Sequence, residues 1–245
     1  MQFGLESHPN QKNRISDILG YNASQNRFNK TIQMDYLTTT TYYDYHTEAI
    51  QQLIAEFKEG TLTAKEKAIG LYLKVRDGWW YDPYHISLHK EGYIASKIAK
   101  KPSGHCLDKS ILLIAGLRGL GIPARIHLAK VKNHIGVERL VEKFGTNELT
   151  PHGMVNICLD DKWLKASPAF NASLCKKCNV APLEFDGEND SLFQQYDSEG
   201  AIFMEYLEDY GHFEDVPLDF IFNNMKEHYP ELVEKYSGSK EIKIK

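Results

Sequence analysis

The stretch PSGHCLDKSILLIAGLRGLGIPARI, residues 102–126, decides the fold. A short polar run leads into Cys106, and an apolar segment follows it. The segment's interior, Ile111 to Ala115, is apolar all round, so a helix here is expected to be buried on most sides. Gly119 and Gly121 end the helix, and residues 124–131 read as a strand. Cys106 therefore stands at the start of a buried helix. Unpaired N–H groups and the helix dipole at that end lower the pKa of a thiol. Gly104 lets the backbone turn tightly ahead of it.

A second stretch, PHGMVNICLDDKWLKASPAFN, residues 151–171, reads as a hairpin. His152 opens an alternating strand, Asp160-Asp161 makes the turn, and Lys162 to Ala166 returns. A two-residue turn pairs Met154 with Ser167 and puts His152 diagonally across from Ser167 on one face. A three-residue turn sends Ser167 to the opposite face. Pro151 and Gly153, on either side of His152, suggest a backbone held close to something. An imidazole so placed can take the thiol proton and hold an ion pair with the thiolate. The bland alternatives are a buried structural cysteine and a surface histidine at a strand start.

These two segments resemble the core of the transglutaminase-like superfamily of papain-like thiol enzymes. The family pattern is Gly-x-Cys, an apolar helix and an Arg-x-x-Gly-Ile-Pro-Ala-Arg exit, here Arg118 to Arg125. Its second motif is a His, an alternating strand, a turn with Asp, a Trp and a closing Asp-Pro. Here it stands as His152, Asp160-Asp161, Trp163 and Ser167-Pro168, with serine in place of the closing Asp. The core covers about residues 65–170. The stretches YLTTTTYYDYHTEA, VRDGWWYDPY, PLEFDG and MEYLEDYGHFEDVP resemble a bacterial branch of the superfamily and extend the likeness to about residues 36–222.

The resemblance implies an α+β, papain-like fold with the nucleophile helix packed on an antiparallel sheet. It implies acyl transfer from an amide through a thioester, with Cys106 as nucleophile, His152 as base and Ser167 at the third position. Serine can accept a hydrogen bond from the imidazole but brings no charge. Three alternatives stay open: Ser167 suffices as orienter, a carboxylate from residues 184–209 replaces the Asp, or catalysis has been lost. Relatives place an oxyanion-stabilising or wall aromatic where Trp79, Trp80 and Tyr81 stand, although core packing is expected for at least two of the three.

Composition narrows the partners. The 42% hydrophobic and 25% charged content belongs to a globular chain. A net charge of −4 argues against nucleic acid. No stretch approaches a membrane span, no signal-peptide pattern opens the chain, and four cysteines make no disulfide scaffold, so a cytoplasmic location is expected. Cys175 and Cys178 have C-x-x-C spacing, but one pair lacks the four ligands of a structural zinc site. Polar roles are expected for His127 and His134, and the glycines of GLRGLGIPAR end a helix where a dinucleotide fold would open one. No cofactor or metal is expected. The partner is a peptide or protein amide.

Residues 1–35 read as an N-terminal extension with a short helix near Ile15–Leu19. Residues 36–225 read as one domain, in which 171–225 elaborate the core, and 226–245 as a C-terminal tail, Lys-rich and frayed from Ser237 onward. Within the domain, helices are expected over residues 47–58, from Thr63 to about Gly78, and around Val137–Phe144. The acceptor, water or an amine, stays open. The rival readings are a catalytically degenerate binding module and an acetyl-carrier transferase of the arylamine type.

Overall fold

A computed structural model describes residues 36–134, 137–193 and 195–244. The N-terminal extension and its expected helix near Ile15–Leu19 lie outside the described residues. In chain order the elements are α1 (Glu48–Ile54), α2 (Ala64–Gly78), β1 (Trp80–Tyr81), β2 (His85–Ser87), α3 (Ala95–Ile98), β3 (Ser103–Gly104) and α4 (Cys106–Gly119). Then come β4 (Ala124–Asn133), α5 (Glu138–Phe144), β5 (Glu148–Leu159), β6 (Lys162–Ala166) and α6 (Ala172–Lys177). The chain ends with β7 (Met204–Phe213), α7 (Leu218–His228), α8 (Pro230–Lys235) and β8 (Glu241–Lys243).

The fold is α+β. Four antiparallel strands run in the order β6-β5-β4-β7, and α4 packs on β5 and β4 with α1, α2 and α3 around its other sides. Every residue of α4 from Cys106 to Arg118 is buried, as its all-apolar interior requires. The helix expectations hold closely. Thr63 and Glu66 close a capping box at the start of α2, each bonding the other's backbone N–H.

The exit of α4 explains its own sequence. Gly121 takes a φ of +77°, and Ile122 N–H bonds back to Leu117 O. Arg118 is buried, and its guanidinium donates to the carbonyls of Ala124, Thr38 and Glu214. It thereby joins the helix end to segments from both sides of the chain. Arg125 stacks over Trp163 at 4.0 Å, which ties β4 to β6 across the sheet face.

The hairpin has the two-residue turn, with Asp160 and Asp161 both left-handed. The register runs from Leu159↔Lys162 to Val155↔Ala166 and stops there. The expected pairing of Met154 with Ser167 does not form. Ser167 N–H donates to Ser191 O at 2.8 Å, and Ser191 N–H donates to Lys165 O at 2.7 Å, so the segment at Ser191 pairs with the edge of β6 that faces away from β5. Pro168 follows and has no N–H with which to continue a ladder.

The C-terminal end differs from expectation as well. Its lysines predict a loose tail, but β8 pairs antiparallel with β2, and Ile242 between them is fully buried. Alternation around one isoleucine outweighs the charge beside it. The elaboration after residue 180 contributes β7, an edge strand of the main sheet. No helix of the described residues is long and apolar enough to cross a membrane.

Two close contacts hold the start of α4. Gly153 of β5 faces Leu107, and a Cβ on Gly153 would stand 2.7 Å from Leu107 Cδ2 and 3.0 Å from its Cα. Lys109, with no exposed surface, donates to Arg76 O (2.7 Å), Trp79 O (2.9 Å) and Ala169 O (2.8 Å). Burial pushes its ammonium down to about 7.

Lys109→Met should leave those carbonyls without a donor and cost on the order of 3 kcal/mol or more in urea unfolding. An unchanged midpoint would mean that water or rearrangement replaces the ammonium. Gly153→Ala should cost about 1–3 kcal/mol by forcing the strand off the helix. A variant as stable as the parent would show that the contact relaxes freely.

Candidate active site

Cys106 is the first residue of α4, and His105 is its N-cap. His105 Nδ1 accepts from Leu107 N–H at 3.1 Å, so its proton resides on Nε2. That Nε2 is buried without a hydrogen-bond partner and lies 3.8 Å from Asp108 Oδ1. Burial holds His105 below the usual histidine range, while Asp108 acts the other way. Gly104 is explained by proximity more than by turning: a Cβ there would stand 2.8 Å from Asp108 Cβ.

The Cys106 side chain is 8% exposed and lines a cavity of about 50 Å³ with Tyr81, Ile86, Phe144, Met225 and Tyr229. This cavity shares Tyr81, Pro83 and Leu149 with a groove of about 490 Å³. Burial pushes the thiol up to about 11, although the backbone N–H groups of Gly153, Leu107 and Cys106 itself favour the thiolate. The expectation of a helix-lowered thiol is thus overturned. The N–H groups are in place, but desolvation of the sulfur outweighs them.

His152 directly precedes Gly153 on β5 and is 2% exposed. Burial, then the charge of neighbouring His105, push its imidazole down to about 4. Its Nδ1 is buried with no hydrogen-bond partner, from Ser167 or elsewhere. Burial thus favours the neutral form of both thiol and imidazole, against the expected thiolate–imidazolium pair. Ser167 is buried where β6 ends, and Tyr72 Oη donates to its carbonyl at 3.0 Å.

The acidic segment does not supply an acid to His152. Glu184 pairs with Arg76 at 2.9 Å, Glu188 with Lys65, Glu205 with His134 at 2.6 Å, and Asp209 with His127 at 2.8 Å. Asp186 and Asp197 accept backbone N–H groups of their own turns. His152 enters no ion pair among the described residues. The polar roles expected for His127 and His134 are those found.

Of the three aromatics before the nucleophile, only Tyr81 reaches the cavity. Trp79 packs against the core and Trp80 is 60% exposed. Asn171 fixes this segment, accepting from Tyr81 N–H at 2.9 Å and donating to Trp79 O at 3.0 Å. Cys175 and Cys178 stand in and after α6 and form no disulfide, and no group of three or more His, Cys, Asp or Glu able to hold a metal comes together among the described residues. Two contributors went unseen in the sequence. His105 was visible beside Cys106 but carried no signal of its burial. Tyr229 lay in the supposed tail.

Residues 51–168 match the profile of the transglutaminase-like superfamily. The comparison with curated proteins gives no match. A crystal structure of a "Putative Cysteine Protease" from Cytophaga hutchinsonii is similar at 14% identity and a TM-score of 0.43; the likeness covers 71% of this chain and 62% of that one. The matched segment holds the Cys106 helix, the Arg118–Arg125 exit and the His152 hairpin. Over residues 51–168, a little under half of its length, the chain is similar to the transglutaminase-like superfamily.

Proposed function

We propose that the protein transfers an acyl group from an amide through a thioester on Cys106. One observation carries the reading. The Cys106 sulfur lines an open cavity while backbone N–H groups of α4 and β5 turn toward it, and the β5 donor, Gly153, is the residue after His152. Such donors can hold the negative charge that develops as a thiol attacks a carbonyl.

In the proposed cycle the neutral His152 takes the thiol proton as Sγ bonds to the carbonyl carbon. The C–N bond then breaks, and the proton passes to the departing amine. Water or a second amine next displaces the sulfur and releases Cys106. With both groups neutral at rest, proton transfer accompanies attack and no ion pair precedes it. Ser167 holds the third position and is the proposed orienter of His152, bringing a hydroxyl and no charge, although no bond joins it to His152 Nδ1 in the structure. The substrate is a peptide or protein amide, no cofactor is needed, and the site of action is the cytoplasm. The binding-module reading draws on one observation, the missing acid partner of His152, and the same experiments separate the two.

Cys106→Ala should lower turnover of peptide amides and of activated esters at least ~10³-fold while keeping the melting temperature. Turnover that survives in the folded variant removes the thiol mechanism, and a parent protein with no turnover of any acyl donor favours the binding module. Alkylation of Cys106 by iodoacetamide should climb with pH across roughly pH 6 to 9 without a plateau, because the thiolate fraction is still rising there. Ser167→Asp should raise the neutral-pH rate by stabilising imidazolium, and Ser167→Ala should slow turnover. A plateau from pH 6 upward in the parent would mean that the ion pair forms without the acid.

A further inference from the structure

We infer that the acyl group delivered to Cys106 is a short aliphatic one, of about two to four carbons. The inference rests on the thiol acyl-transfer reading and specifies its donor. Size is the first argument. The space at Cys106 is about 50 Å³. An apolar cavity of about 150 Å³ holds one benzene ring, so a third of that volume takes two or three carbons beside the sulfur.

The walls are not free to recede. Phe144 packs edge-on against Tyr229 with ring centroids 5.4 Å apart and leans on Tyr84 at 6.1 Å. Tyr229 Oη donates to Glu148 O at 2.9 Å and accepts from Thr150 N–H at 2.8 Å. These bonds clamp the ring from α7–α8 onto the start of β5. Only Met225, with its flexible thioether, offers local slack.

Polarity is the second argument. The Tyr229 hydroxyl is fully used by those two bonds. Thr150 Oγ1 is likewise engaged, donating to Asn224 Oδ1 at 2.8 Å and paired with Tyr210 Oη at 3.0 Å. His105 Nδ1 is taken by Leu107 N–H, which leaves its Nε2–H as a lone donor. A polar group carried on the acyl chain beyond the reacting carbonyl, a second carboxamide for example, brings two N–H donors and an oxygen with two lone pairs. Buried here it would leave most of them unmet, at a cost of roughly 1–3 kcal/mol for each such group. Methylene groups lose nothing. The rest of the donor molecule fits the adjoining groove of about 490 Å³, where Asp82 and Arg139 both line the wall and neither sign of charge is favoured.

The test is the acylation burst with p-nitrophenyl acetate, butyrate, hexanoate and benzoate. The thiol sulfur attacks the ester carbonyl, the C–O bond breaks, p-nitrophenolate departs, the thiol proton is released through His152, and a thioester remains on Cys106 for mass spectrometry to locate. Acetate and butyrate should acylate at rates within a few fold of each other. Hexanoate and benzoate should be at least about tenfold slower, each corrected for its spontaneous hydrolysis. Phe144→Ala, and separately Met225→Ala, should narrow the hexanoate-to-acetate gap to less than about threefold. The parent series decides by itself if neither variant folds. Equal rates along the series, or a preference for hexanoate or benzoate, overturns the inference and leaves thiol acyl transfer standing. No burst and no adduct with any ester overturns the acyl-transfer reading, and this donor with it.

Discussion

The approach of β5 to the first turn of α4 is the contact on which the site depends. Gly153 lets the strand come within backbone range of Leu107, and at that range its N–H turns toward the Cys106 sulfur. One residue earlier the same strand presents His152. A side chain at position 153 would separate helix and strand, and the thiol would lose a donor and its relation to the base together. The remainder of the fold keeps α4 from escaping this contact. Lys109 ties it to the end of α2 and to the chain beyond β6, and Arg118 ties its other end to segments at Thr38 and Glu214. Both cations sit inside a helix that is otherwise apolar. Each is satisfied by backbone carbonyls, which are acceptors without a counter-charge.

The electrostatics follow from that burial. A helix N-terminus and a neighbouring strand N–H both favour a thiolate, yet the sulfur is drier than they can offset, and the thiol stays protonated. His152 is driven the same way, toward neutrality, and the proximity of His105 adds to it. A carboxylate at position 167 would oppose that drift. Serine cannot, because its hydroxyl brings a dipole where a charge is needed. The acidic residues of the C-terminal half cannot either, because each of the paired ones is already held by a lysine, an arginine or another histidine. The resting site is therefore electrically quiet, and its N–H groups are arranged for a charge that arises only during reaction.

The core of this arrangement is legible in the sequence because it is local. The helix from Cys106, its glycine exit, the strand after it and the two-residue turn at Asp160-Asp161 each follow from periodicity or turn chemistry within a few residues. The thiol's pKa was misread because the sign of a shift depends on which of two opposed effects is larger. Burial of the sulfur comes from residues far along the chain, such as Met225 and Tyr229. The pairing of Ser167 was misread because the register with β5 stops at Ala166, and the bridge to Ser191 on the other edge of β6 has no strand pattern around it. The tail was misread because one inward-facing residue, Ile242, decides its place against a background of lysines.

These misreadings have a common geometry. Cys106 and His152 lie within residues 51–168, the segment that matches the superfamily. The walls that set the room around them come partly from there, at Tyr81 and Phe144, and partly from α7 and the residue after it, Met225 and Tyr229. Tyr229 bonds the backbone of Thr150, two residues before His152. The part of the chain outside the matched segment thus touches the His152 strand as well as the space beside the thiol, and a change in Tyr229 would be felt in both. Phe144, packed on Tyr229, and Met225 line that same space.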